Sequence, residues 1–306
     1  MTGTIDFRGV FPILATPFDA EERLDPEAFA RLVGFMAELG VQGVTILGVL
    51  GEANRMTDAE REAAIETAVA AAAGRIPVVV GASHRGTRAA LALARSAGQR
   101  GASAVMLAPG QEPVPNEERI FAYYARVAAA ADLPIVVQDH PASTGVQMSV
   151  PLLLRLAEDL PAVACFKQEA VPTAPKIRSM KSGLQRPVPI LTGLGALYGI
   201  FDLAAGSDGF MTGFAFPEVL LGMVAAWRKG DVETATRLYE RFLPLIVFEQ
   251  QPGVAIRKEL LRRRGLLNDA TVRHPGAPLP AGAGEQLAAL LGRLLPGVDL
   301  QKPLVL

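Results

Sequence analysis

The chain has 306 residues, half of them hydrophobic, a net charge of −1 and a pI near 6.4, which describes a globular protein with an ample core and no electrostatic case for nucleic acid. No apolar stretch approaches the roughly 18–20 residues a membrane span requires, and the polar start from Met1 to Asp6 lacks the pattern of a signal peptide, so a cytoplasmic protein is expected. The single cysteine, Cys165, excludes an internal disulfide and a cysteine metal cage, and three scattered histidines argue against any metal site.

In chain order, short β-branched runs alternate with longer amphipathic stretches rich in Ala, Leu and Arg. The predicted strands are Val10 to Ala15, Gly43 to Leu47, Pro77 to Gly81, Ala104 to Ala108, Pro134 to Val137, Val163 to Lys167, Pro189 to Thr192 and Gly209 to Thr212. Helices are expected between them over Asp25–Leu39, Asp58–Ala73, Thr87–Arg100, Asn116–Ala131, Val150–Leu156, Thr173–Ser182 and Leu197–Ala205. That alternation, with no Gly-x-Gly-x-x-Gly after the first strand, predicts an α/β fold of the (β/α)8 TIM-barrel type rather than an open doubly wound sheet. From Pro217 onward the pattern is wholly helical: Glu218–Arg228, Val232–Phe248, Val254–Arg264 and Gly284–Leu294. The expected organisation is a barrel over residues 1–216 with a helical extension, 217–306, packed on it and no linker between them.

Lys167 stands out because it lies in the apolar run Ala162-Val163-Ala164-Cys165-Phe166-Lys167. Burial disfavours an ammonium, so a lysine at the end of such a strand has the character of an amine nucleophile able to form a Schiff base. The alternative is a lysine that surfaces at the strand end and snorkels into water. A barrel keeps its chemistry at the C-terminal ends of its strands. The other strand ends at that mouth are Gly48-Val49-Leu50-Gly51-Glu52, His84-Arg85, Gln138-Asp139-His140-Pro141 and Gly193, with Met211 in the eighth strand. In the first of these, the amides of Val49 and Leu50 are available to a carboxylate, though an ordinary turn has the same sequence; Glu52 reads as a brace for that loop. Period-two alternation sends Gln138 inward, Asp139 away and His140 back toward the mouth. There an imidazole suits acid/base work, while a loop histidine facing solvent is the competing reading. Ser143 and Thr144 offer hydroxyls or cap their loop, and Cys165 reads as buried filler.

Four segments resemble the dihydrodipicolinate synthase / N-acetylneuraminate lyase family of Schiff-base barrel lyases. They are Gly9 to Phe18, Gly48 to Glu52, Pro141 to Gly145 and Phe166-Lys167-Gln168-Glu169. The resemblance implies a barrel, a helical tail, a homodimer or homotetramer, no cofactor, and an imine between Lys167 and the C2 carbonyl of a 2-oxo acid. It also exposes departures. The family's tyrosine after strand five aligns with Gln138, its loop threonine with Val49, and its partner-subunit tyrosine falls in Pro109-Gly110-Gln111-Glu112. The arginine that grips the synthase's aldehyde substrate is Ser143 here.

The expectation is therefore a Schiff-base lyase, an aldolase or dehydratase, acting on a pyruvate-like 2-oxo acid or 2-oxo-3-deoxy acid. Lys167 and His140 are the candidate catalytic residues, and Val49, Leu50, Gln138, Ser143, Gly193 and Met211 the candidate substrate-binding ones. Two rivals are the synthase reaction itself and a catalytically silent barrel that binds a 2-oxo acid.

Overall fold

The computed structural model describes residues 5–112, 116–251 and 253–306; Met1 to Thr4, part of the segment read as lacking a signal peptide, lie outside them. Eight strands form one parallel sheet: β1 Gly9–Val10, β2 Val44–Ile46, β3 Val78–Gly81, β4 Ala104–Leu107, β5 Ile135–Asp139, β6 Val163–Gln168, β7 Ile190–Thr192 and β8 Gly209–Phe210. Neighbours pair in the order β1-β8-β7-β6-β5-β4-β3-β2. The ring closes between β1 and β2, where Thr45 N–H donates to Pro12 C=O at 2.8 Å and Leu14 N–H to Thr45 C=O at 2.9 Å. The first strand was expected to run unbroken to Ala15. Its ladder instead stops at Val10 and resumes as a single bridge at Ile13, because Pro12 has no N–H to give.

Helices fill the connections: α1 Pro26–Leu39, α2 Asp58–Ala72, α3 Thr87–Gln99, α4 Glu117–Ala128, α5 Pro141–Thr144, α6 Val150–Asp159, α7 Thr173–Gly183 and α8 Gly199–Ala204. Beyond β8 come α9 Pro217–Arg228, α10 Val232–Glu249, α11 Ala255–Arg263 and α12 Ala283–Leu294. α9 packs on β1 and completes the ring of helices, so the surplus over a simple barrel starts with α10. The short helix α5 and two 3-10 turns, Val49–Gly51 and Ala53–Arg55, had no counterpart in the period analysis, since segments of three or four residues are too short to carry a period.

Alternation along the strands sorts the core into two compartments. Phe11, Ile13, Val79, Ala104, Met106, Val136, Cys165, Leu191 and Met211 fill the inside of the barrel, while Val105, Leu107, Val137 and Phe166 face the helices. A bulge between β5 and β6 carries the extra residue Ala164, and past it the register pairs Val136 with Cys165 and Gln138 with Lys167. Lys167 therefore stands above Cys165 inside the barrel, at its C-terminal rim. Burial pushes the Cys165 thiol far above its ordinary pKa, consistent with a packing role.

Candidate active site

Lys167 and Glu169 face the same way because two residues along an extended strand restore direction; Glu169 N–H still bonds Asp139 C=O at 2.9 Å beyond the formal end of β6. The Lys167 Nζ and Glu169 Oε2 form an ion pair at 2.8 Å, with both side chains about one-twentieth exposed. Gln138, one strand over, donates from Nε2 to the same Oε2 at 2.8 Å. The other oxygen, Oε1, accepts Leu194 N–H at 3.1 Å. Burial alone would raise the pKa of Glu169, but Lys167, His140 and Gln138 outweigh it and hold the carboxyl below its ordinary value. A buried carboxylate, ionised and touching the amine, is thus the nearest proton acceptor to Lys167.

His140 lies further off. Its Nδ1 is 4.0 Å from Glu169 Oε2 and 2.7 Å from Ser143 Oγ. Burial lowers the imidazole pKa, with Glu169 opposing and Lys167 adding to the shift. Asp139 points away from the mouth, as alternation requires, and pairs with Lys176 of α7 at 2.6 Å.

Glu169 explains Gly193. A Cβ at that position would sit 2.0 Å from Glu169 Oε1, so the carboxylate occupies the space a side chain would need. After β7, Leu194, Gly195 and Ala196 all adopt positive φ, and Gly195 N–H donates to Thr212 Oγ1 at 2.7 Å. Left-handed conformations at two non-glycine residues are strain stored beside the ion pair. Across the barrel, Leu47 (φ 55°) and Glu52 (φ 54°) flank the turn Gly48–Gly51, and only a glycine at 81 clears the Leu47 carbonyl, 2.1 Å from where a Cβ would be. Within that turn the N–H groups of Gly51 and Glu52 bond back to Gly48 and Val49. As the first residues of the turn, Val49 and Leu50 have N–H groups outside its ladder.

A cavity of about 140 Å³ is lined by Lys167, Glu169, Gln138, His140, Val49 and Leu50 together with Thr212, Gly213, Glu249, Gln250 and Arg257. It thereby brings together most of the residues singled out in sequence. Ser143 lines a larger neighbouring space of about 390 Å³ instead, which meets the first at Val49, Met106 and Gln138 but contains no lysine. Met211 is fully buried in the barrel interior and Gly193 lies beneath Glu169; neither lines the Lys167 cavity. The residues that sequence reasoning passed over are Glu169, which the same alternation rule applied to Lys167 identifies, and the Glu249–Arg257 wall, for which the sequence has no local signal. Among the described residues no group of three or more His, Cys, Asp or Glu is placed to hold a metal ion, and no helix is long and apolar enough to cross a membrane.

Comparison with known proteins shows the family and the fold. The model of the dihydrodipicolinate synthetase family matches residues 6–294. An L-2-keto-3-deoxyarabonate dehydratase of Azospirillum brasilense is 37% identical over 294 residues, covering 94% of this chain and 95% of the relative. A 4-hydroxy-tetrahydrodipicolinate synthase of Chlorobium luteolum is 32% identical, over 93% and 96% of the two chains. The crystal structure of dihydrodipicolinate synthase from Rhodopseudomonas palustris superposes with a TM-score of 0.90 at 36% identity, covering 96% of this chain and 99% of that one.

Proposed function

The chain belongs to the dihydrodipicolinate synthetase family and is a Schiff-base lyase of that family; on that footing we propose that it dehydrates a 2-oxo-3-deoxy sugar acid through an imine on Lys167. The observation that carries this reading is the buried contact between Lys167 and Glu169, clamped by Gln138 where the family resemblance puts a tyrosine. In this scheme Glu169 takes a proton from the Lys167 ammonium, the amine adds to the C2 carbonyl, and Glu169 returns that proton to the carbinolamine hydroxyl, which leaves as water as the iminium forms and frees the carboxylate. Val49 and Leu50 amides hold the substrate carboxylate. Glu169 then removes a C3 proton, and the electron pair moves into the iminium to give an enamine. The enamine expels the C4 hydroxyl, which leaves as water after taking the proton from Glu169. Hydrolysis of the conjugated imine consumes one water and returns the lysine, so the net change is loss of one water.

The full-length similarity to a 2-keto-3-deoxyarabonate dehydratase supports dehydration over aldol cleavage. Ser143 and Gln138 argue against the synthase reaction, which by resemblance needs an arginine and a tyrosine there. Assembly as a homodimer or homotetramer, residence in the cytoplasm and a barrel carrying a C-terminal helical extension belong to the same proposal. The test is borohydride reduction in the presence of pyruvate, read by peptide mass, followed by turnover assays. A reduced pyruvyl adduct on Lys167 and turnover of a five-carbon 2-oxo-3-deoxy acid are expected, with synthase turnover absent or very weak. An adduct on another lysine refutes the assignment of the nucleophile, and ordinary synthase turnover refutes the choice of reaction.

A further inference from the structure

The Lys167 cavity has a second charged wall, contributed from outside the barrel. Glu249 ends α10 and Arg257 lies in α11, and their side chains are 0% and 4% exposed. Arg257 Nε donates to Glu249 Oε2 at 2.8 Å, and Glu249 Oε1 accepts Ala215 N–H at 3.1 Å. Burial pushes the Glu249 carboxyl upward and Arg257 pulls it back. The guanidinium is only partly used: among the described residues, its buried Nη1 has no hydrogen-bond partner. Buried donors are almost always paired, and one on a cation that lines a cavity lacks an acceptor that a ligand can supply. Nη1 lies 2.7 Å from where a Cβ on Gly213 would stand, so the glycine leaves room for the guanidinium at the cavity wall.

The chemistry of the missing acceptor follows from charge. Glu249 already neutralises Arg257, so the wall lacks a hydrogen-bond acceptor rather than a negative charge. A neutral hydroxyl satisfies Nη1, whereas a second carboxylate would also face Glu249. We propose that Arg257 Nη1 binds the terminal hydroxyl of a five-carbon 2-oxo acid whose C2 sits at Lys167, and so sets the preference for a hydroxylated tail over a plain one. This rests on the reading of Lys167 as the imine-forming residue.

The test uses two acids that lack a C4 leaving group and so cannot eliminate, 5-hydroxy-2-oxopentanoate and 2-oxopentanoate, with dissociation constants from calorimetry on the full chain. The unsubstituted protein is expected to prefer the hydroxylated acid by about tenfold or more, the usual worth of a hydrogen bond to a charged group. In Arg257→Lys, which keeps a cation beside Glu249 but loses Nη1, the ratio should fall to about one. Should that variant fail to fold, Gly213→Ala crowds Nη1 without removing the charge, and the ratio should fall there too. No preference in the unsubstituted protein, or a preference that survives either folded variant, overturns the proposal. Borohydride trapping of pyruvate by the unsubstituted protein keeps the two readings apart. Trapping at Lys167 without a tail preference overturns the subsite alone, and no trapping at Lys167 overturns the reading on which it rests.

Discussion

Two buried lysine–glutamate pairs lie among the described residues, and they differ in what else each lysine touches. Lys258 is wholly buried, 2.5 Å from Glu52 Oε1, donates to Thr271 C=O at 2.6 Å and rests 4.4 Å over the Phe18 ring. Its partner Glu52 also accepts from Arg55 at 2.8 Å and from Arg273 N–H at 3.0 Å. Burial pushes the Lys258 pKa down and Glu52 resists, but the amine faces only protein. Lys167 has one carboxylate partner and an open cavity. A buried lysine is therefore not by itself a catalytic one. Access to a space that a substrate can enter separates the amine proposed as the nucleophile from the amine that braces a loop.

Exchanging the two lysines' fates is the sharpest way to break that comparison. Lys167→Ala should abolish pyruvate trapping and lower turnover by at least ~10³-fold, as loss of a covalent nucleophile does, while the protein remains folded. Lys258→Met should do the reverse. It leaves Glu52 Oε1 without its cation while Arg55 and the Arg273 N–H still hold Oε2, and should cost about 1–3 kcal/mol in denaturant unfolding, while whatever folds still traps pyruvate. If Lys258→Met lost trapping without losing stability, the second pair would be part of the chemistry.

The next largest effect separates Glu169 from His140. Glu169→Gln should reduce turnover ~10²–10⁴-fold, the usual range for a positioned acid/base group, with imine formation partly retained. His140→Gln should cost less than about tenfold if the ring only neighbours the carboxylate. Exchange of the C3 protons of pyruvate with deuterated water isolates the step concerned. Exchange that survives Glu169→Gln but slows in His140→Gln would hand the base role to the imidazole.

The barrel was legible in the sequence because its strands are short apolar runs that end where glycine, proline or a capping residue intervenes. β6 with Lys167 is the clearest case, and α2, opened by the Thr57–Glu60 capping box, is another. The same alternation that placed Gln138 and His140 inside also applies to Glu169, two residues past Lys167. Past Gln168 the apolar run has ended, so nothing in the composition marks Glu169 as still strand-like. The Glu249–Arg257 wall was illegible for a different reason. Each residue looks like an ordinary polar position on an amphipathic helix, and only the packing of α10 and α11 on the barrel brings them to the mouth. Ser143, by contrast, sits on the loop that sequence assigned, but the short helix α5 turns it toward the neighbouring space and the His140 ring. Gly193 and Met211 lie on the expected strand ends without reaching the Lys167 cavity, because a strand end fixes position more tightly than exposure.

The smallest expected effect concerns Gln138, whose amide is one of the groups holding Glu169 as a carboxylate. Burial raises the Glu169 pKa, and the stronger opposing effects of Lys167, His140 and the Gln138 hydrogen bond bring it below the ordinary 4.5. A base works when deprotonated, so the acid limb of kcat/KM should lie below that value. Gln138→Leu removes one stabilising bond to the ionised form and should move the limb upward in pH. The same sign holds for stability. A carboxyl with a depressed folded pKa contributes stability above its unfolded value, and that contribution is lost as pH falls through the folded one. Glu60, held at about 2 chiefly by its hydrogen bond to Arg273, likewise stabilises the fold above its ordinary value of 4.5 and loses that contribution progressively as pH falls towards 2. Circular dichroism at each pH separates loss of fold from loss of base. A kinetic limb that stays in place in folded Gln138→Leu, or moves downward, would mean that Gln138 positions Glu169 without setting its charge.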